Sequence, residues 1–230
     1  EGIYHCDNPS EFKNNTYAYG NKVKMDLYLR YKVLGAAGDR HLVEFVNNTW
    51  YLKNPEVIKN WAMGITTVQS RIEKMYEKID KSIRLAKGLE EVTINQSKEE
   101  AIDLMKAVLG IKDIVSNVNA PNMGQIDWLP KNSIVESNCL FSKDSIKPLH
   151  ASSLPIEVQN LIIRNSYNID TLYEGIKKRD LAVIFSSFIN QPLCSTISLD
   201  EGKALFKEML LATRKYLDQY FSIDAFLKNF

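Results

Sequence analysis

Apolar residues recur at helical spacing through most of the chain. Val23, Leu27 and Leu34 predict a helix over residues 19–34, with Gly35 as its stop. A loop of small residues follows, ending in Gly38-Asp39-Arg40-His41. The strongest periodicity comes next. Ile58, Trp61, Ile65, Val68, Ile72, Met75, Ile79 and Ile83 share one face, Asn54 can cap, and Pro55 suits the first helical position. The pattern predicts a single helix over 55–86, stopped by Gly88. Such a helix is far longer than the usual ~11–12 residues, which marks it as a spine or an oligomer contact.

Ser97 with Glu100 reads as a capping box for a short helix that stops at Gly110. The texture then turns to β. Ile114, Val118, Ile126, Trp128, Ile134 and Val135 fall in short runs, broken by Pro121-Asn122-Met123-Gly124 and Leu129-Pro130-Lys131-Asn132. Three or four antiparallel strands are expected over 111–151. After Leu154-Pro155 helices return, at about 156–178, 181–190 and 199–218. Asp180 caps the second, and Ser198 boxes with Glu201 in the third. No repeat or low-complexity tract interrupts the series. The fold class is α+β, long helices around a small antiparallel sheet in one domain. No alternating βαβ unit with a glycine-rich phosphate loop is present, so no nucleotide-binding half is expected in this chain.

Composition adds exclusions. Of 230 residues, 29 are basic and 28 acidic, a net charge of +1 without a basic patch. That argues against a nucleic-acid or membrane-surface partner. No apolar run approaches the ~20 residues of a transmembrane helix, and the polar start Glu1-Gly2-Ile3-Tyr4-His5 lacks a signal-peptide core. Asn14, Asn47 and Asn95 open glycosylation sequons, which carry little weight without a secretory signal. Cys6, Cys139 and Cys194 are few and far apart, as expected of reduced thiols in a cytoplasm. Because the chain begins with Glu, it reads as a fragment or a processed product.

Candidate chemistry is sparse. Gly38-Asp39-Arg40-His41 places an acid, a guanidinium and an imidazole within three residues, suited to proton transfer and hydroxyl binding. The blander alternative is an Asp at a helix N-terminus with solvated neighbours. His5-Cys6-Asp7 has metal-ligand types but no second pair at metal-site spacing, and His150 stands alone. Asn119-Ala120-Pro121-Asn122-Met123-Gly124 is a turn by composition. The Lys and Glu residues of 73–81 read as a solvated face with i,i+4 pairs.

Taken together, several stretches resemble the C-terminal half of family 4 glycoside hydrolases. Asn8-Pro9 through Tyr31 and Ala36-Ala37-Gly38-Asp39-Arg40-His41-Leu42-Val43-Glu44-Phe45 are similar to that family's substrate-site segment, in the wording of its α-galactosidase and α-galacturonidase branches. Asn119, Pro121-Asn122, Gly124, Ile126, Leu129-Pro130 and Val135-Glu136 resemble its β-rich signature. Leu154-Pro155, Arg179-Asp180-Leu181-Ala182, Asn190-Gln191-Pro192-Leu193 and Leu205-Phe206-Lys207-Glu208-Met209-Leu210 look like its closing helices.

The resemblance implies a fold like the C-terminal domain of lactate/malate dehydrogenase-like enzymes. It also implies an NAD- and manganese-dependent glycosidase, outside the usual two-carboxylate scheme. In such enzymes C3 of the sugar is oxidised, the C2 proton is removed and the glycosidic oxygen is eliminated. By this resemblance Asp39 is the base, and Arg40, His41 and Asn122 bind substrate; should Asp39 fail, Tyr17, Tyr19 or Tyr31 is next in line. The NAD loop and the metal-binding Cys and His belong to an N-terminal Rossmann half, so neither cofactor is expected on this chain alone, nor turnover without that half. A homo-oligomer acting on α-galactosides or α-galacturonides is the leading expectation, with 6-phospho-sugars behind because no second Arg makes a phosphate clamp. The alternative is a non-catalytic carbohydrate-binding or assembly module.

Overall fold

A computed structural model describes residues 20–93 and 99–230. The chain is α+β, helices with one three-stranded antiparallel sheet. It forms two compact units where the sequence reads as one domain: Glu1–Met63 with Ser153–Phe230, and Gly64–Ser152.

In the first unit, α1 (Lys22–Tyr31) ends earlier than Gly35 predicts. Lys32 turns left-handed at φ 55° and its N–H closes on the Tyr28 carbonyl. After a short loop comes α2 (Asp39–Leu42), and Gly35 in that loop admits the Leu42 side chain where a Cβ would lie 2.7 Å from it. A 3-10 turn over Asn48–Trp50 leads to α3 (Pro55–Asn60), where the Asn54 side chain caps the Val57 N–H at 2.9 Å. Val23, Leu27, Val43, Val46, Tyr51 and Met63 form the buried core here, with Trp61 edge-on to Tyr51 at 4.8 Å.

The single helix expected over 55–86 is broken, and this is a correction. α3 stops at Asn60, and the next helix, α4, spans Val68–Ala86. Between them Ala62 is left-handed at φ 56° and Met63 is buried. Packing of Trp61 and Met63 into the core overrides a periodicity that runs in phase across the break. Thr67 then starts α4 afresh by accepting the Ser70 N–H.

The rest of the first unit is helical: α6 (Ile156–Lys178), α7 (Leu181–Ile189), a 3-10 turn at Pro192–Thr196, α8 (Leu199–Ala212), α9 (Arg214–Leu217) and α10 (Ile223–Leu227). At 23 residues α6 is longer than α4. The Asp180 cap and the Ser198–Glu201 box form as expected, whereas the helix expected over 199–218 breaks at Thr213. Gly175 lets α7 close on α6, since a Cβ there would meet Ile184 at 2.7 Å. Leu181, Phe206, Leu210 and Ile223 form a second core, with Phe185, Phe188, Phe226 and Phe230 packed around it.

The second unit holds α4, α5 (Ala101–Val108) and the sheet. Strands β1 (Ile114–Pro121), β2 (Ile134–Ser142) and β3 (Ser145–Pro148) lie in that order, with Ile114 opposite Phe141 and Pro121 opposite Ile134. Cys139 and Phe141 of β2 pack with Ala107 of α5 in its core. Ile126 and Trp128, expected in strand-like runs, lie instead in the loop joining β1 to β2. Glu100 takes the N-cap position of α5 and holds the Ser116 hydroxyl at 2.5 Å; Ser97, its expected partner, lies outside the described residues.

Candidate functional site

Asp39 opens the four-residue helix α2, but its carboxylate serves a different helix. One oxygen accepts the Val23 N–H at 2.8 Å and the other the Lys24 N–H at 2.9 Å. Those groups belong to the first turn of α1, where N–H groups have no partner within the helix, and the N-cap residue, Asn21, makes no side-chain capping bond. Asp39 therefore caps α1 across a separation of 16 residues. Lys24 fastens the same loop from the other side by donating to the Ala36 carbonyl at 3.4 Å.

The carboxylate is only 4% exposed. Burial raises its pKa above the usual Asp value, while backbone N–H bonds from Lys24, Val23 and Lys22 and the Lys24 charge pull the other way. A carboxylate offers about four lone-pair sites, so these backbone bonds still leave it capacity to accept a proton. Arg40 and His41 stand exposed beside it on α2, and His41 Nδ1 lies 3.6 Å from Glu44. The sequence cluster thus becomes one buried carboxylate with an exposed guanidinium and an exposed imidazole beside it.

Asn122 belongs to the other unit. It is 1% exposed and lies at the start of the β1–β2 loop. Its side-chain NH₂ donates to the carbonyls of Ile126, Leu129 and Pro130 at 2.8, 2.9 and 3.2 Å. Its oxygen accepts the N–H groups of Gly124 and Ile126, each at 3.2 Å. Gln125 ties the same loop by accepting from Met123 and donating to Pro121. The expected sugar-binding role of Asn122 meets a side chain whose polar atoms are engaged within its own loop.

The residue pattern did not single out a second polar cluster in the first unit. Asp26, 4% exposed, receives the hydroxyl of the fully buried Tyr51 and the Arg30 guanidinium at 2.5 Å. Burial first, and the hydrogen bond to Asp26 next, push the Tyr51 pKa far above the ordinary phenol value. Arg30 also lies over the Trp50 ring at 4.7 Å. One signal was available: Asp26 falls three residues after Val23 and one before Leu27, so it is a carboxylate on an apolar stripe.

Among the described residues no three His, Cys, Asp or Glu side chains converge as a metal site. His5, Cys6, Asp7, Tyr17 and Tyr19 lie outside the described residues; Tyr31 packs against the first core.

The sequence profile described as the family 4 glycosyl hydrolase C-terminal domain matches residues 4–194. An α-galacturonidase of Thermoanaerobacterium saccharolyticum is 46% identical over 95% of this chain and 47% of its own length. The crystal structure of a Bacillus subtilis protein named as a glucosidase, lplD, superposes with a TM-score of 0.76 at 32% identity, covering 86% of this chain and 45% of that one. The 6-phospho-β-glucosidase of Thermotoga maritima, solved with manganese, NAD+ and glucose-6-phosphate, has a TM-score of 0.60 at 17% identity over 83% of this chain and 44% of that one, a likeness of fold alone. The chain spans about half the length of the relatives it matches.

Proposed function

The chain belongs to the family 4 glycosyl hydrolases, and from that membership we propose that residues 1–230 form the substrate-facing, C-terminal domain of an NAD- and divalent-metal-dependent glycosidase. Its substrates are α-galacturonides, with α-galactosides second. The N-terminal Rossmann half is its intramolecular partner, and the whole protein works as a homo-oligomer. The α-galacturonidase at 46% identity supports the choice of sugar. A fold relative solved with manganese and NAD+ supports the cofactors. Held by the N-terminal half of the complete enzyme, those groups would supply hydride exchange at C3 and polarise the oxidised sugar.

One observation carries the role of this chain: the buried Asp39 carboxylate, held at the start of α1 by two backbone N–H groups. Fixed on a helix terminus, it cannot swing away, and burial makes it a stronger base than an exposed Asp. Asp39 takes the C2 proton as the bond from C1 to the leaving oxygen breaks. Arg40 and His41, exposed beside it, bind the sugar carboxylate and hydroxyls. Asn122 acts in this reading by holding its loop rather than by touching sugar.

The test is Asp39→Asn in the full-length enzyme, with substrate deuterated at C2. Loss of a general base costs about 10²–10⁴ in rate, so exchange of the label into solvent should fall by that factor while galacturonide still binds. Asn keeps only one acceptor for the two N–H groups of α1, so the variant should also melt slightly earlier. Asp39→Ser, which keeps an acceptor and lacks a base, controls for that. Exchange at the wild-type rate in both variants would remove Asp39 from the reaction.

A further inference from the structure

The loop that leads into Asp39 has no polar side chain of its own. Gly35, Ala36, Ala37 and Gly38 can be held only through their backbone and by their neighbours. Lys24 meets this stretch at two points. Its backbone N–H donates to one Asp39 carboxylate oxygen at 2.9 Å. Its ammonium donates to the Ala36 carbonyl at 3.4 Å, three residues earlier in the chain. The half-buried Lys24 side chain therefore bridges from the first turn of α1 to the loop that delivers the carboxylate.

A buried base has to be ionised as well as held. Burial disfavours the Asp39 anion; against it stand the N–H groups of Lys24, Val23 and Lys22 and the charge of Lys24. The N–H groups are backbone and persist when a side chain is replaced, so the ammonium is the influence that one side chain owns. Other charges face this corner of the unit. Lys22 shares the first turn of α1, but its ammonium is tied to the Asn60 carbonyl and lies over the Trp61 ring. Asp26, further along α1, is engaged by Tyr51 and Arg30. Arg40 and His41 on α2 are exposed, with Glu44 beside His41, and Arg164 of α6 reaches the Phe45 carbonyl. Lys24 exerts the largest charge effect on the Asp39 carboxylate among them.

We propose that Lys24 is a positioning residue for the proton transfer at C2, its ammonium strapping the loop of residues 35–38 to α1 and holding the Asp39 carboxylate in its charged, proton-accepting form. This role rests on Asp39 as the base. A compact ammonium on a flexible four-carbon stem suits the place, since it spans the loop while its charged head stays hydrated. Lys24 acts through Asp39 and not on the sugar. Its removal therefore shifts the pH at which the base becomes available more than it changes affinity.

The pH profile of C2 exchange tests it, in the full-length enzyme with NAD and manganese and with substrate deuterated at C2. In Lys24→Met the acid-side rise should move to higher pH by about one unit, a loss of about tenfold on that side. The KM for galacturonide should change less than about twofold. Lys24→Arg keeps the charge and should restore the wild-type profile. Lys24→Gln keeps a donor for Ala36 without the charge and should resemble Lys24→Met; it also carries the test if the Met variant does not fold. Carboxyl-carbon NMR without NAD or metal reads the effect directly. The Asp39 resonance, assigned by its loss in Asp39→Asn, should titrate at higher pH once the Lys24 charge is gone. An unmoved acid limb and an unmoved Asp39 titration in Lys24→Gln, with Asp39→Asn inactive, overturn the role of Lys24 and leave the base in place. A uniform loss at every pH, or a Lys24→Arg variant that restores nothing, overturns it as well. Exchange at the wild-type rate in Asp39→Asn removes the base and Lys24 with it.

Discussion

Asp39 and Asn122 are both buried polar residues in loops, and each organises backbone. They do so in opposite ways. Asn122 makes five side-chain bonds within its own loop, where its NH₂ serves three carbonyls and its oxygen two N–H groups. Asp39 bonds instead to the backbone of another helix, and carries a charge that burial disfavours. An amide with both atoms engaged has nothing further to offer a ligand. A carboxylate capping a helix still has lone pairs and a titratable proton. Structural use therefore argues against a chemical role for one residue and not for the other.

If that contrast is right, Asn122 matters most to stability. Asn122→Ala takes the amide from the Leu129 carbonyl and from the Gly124 and Ile126 N–H groups, while the Ile126 and Pro130 carbonyls keep backbone bonds from Leu129 and Ser133 at 3.3 Å; each lost partner is worth about 1–3 kcal/mol. Partial relaxation of the loop should hold the total to about 3–4 kcal/mol in urea unfolding. Asn122→Asp should be no better at neutral pH, since it turns an anion toward three carbonyl oxygens. A loss under about 1 kcal/mol for Asn122→Ala would mean the amide is dispensable to the loop and its sugar-binding role is open again.

Tyr51→Phe probes the middle of the helix that Asp39 caps. It removes the hydroxyl from Asp26 and leaves that carboxylate with Arg30 as its named partner. A hydrogen bond to a charged group is worth about 1.5–3 kcal/mol, so unfolding should cost about 2 kcal/mol less. The ring and its contact with Trp61 stay in place. A neutral outcome would show that Arg30 alone suffices for Asp26, and that α1 is anchored chiefly by apolar packing.

The chain's own chemistry announces some of this and conceals the rest. Asn54, Asp180 and the Ser198–Glu201 box act on N–H groups two or three residues away, so their patterns are legible locally. The three strands and α6 follow from periodicity and punctuation in the same way. The break between α3 and α4 does not, because it depends on Trp61 and Met63 meeting a core built from residues 23–51. Gly38 to His41 reads as a polar cluster from sequence alone. That its carboxylate reaches back to Val23 and Lys24 is a tertiary fact, and so is the pairing of Asp26 with Tyr51. Asn122 reads as a turn residue, and in the structure it is one.

The smallest effect is also the most direct reading of Asp39. Replacing it with Ala removes a helix cap, worth about 1 kcal/mol at neutral pH. The pH dependence of that difference reports which influence on the carboxylate prevails. Burial raises the folded-state pKa above that of the unfolded chain, about 3.9. A raised value means the folded protein holds the proton more tightly. The associated stability is present in full below the unfolded pKa and is lost as pH rises through the folded one. Wild type should therefore gain on Asp39→Ala as the pH is lowered from 7 through the carboxylate range. Asp103, Glu201 and Asp224 have lowered pKa values and weaken the fold on acidification, but they are common to both proteins and cancel in the difference. Urea titrations at stepped pH measure it. If the wild-type advantage shrinks on acidification instead, the two N–H groups of α1 outweigh burial and Asp39 is an anion held by its helix, a weaker base than the proposed reaction requires.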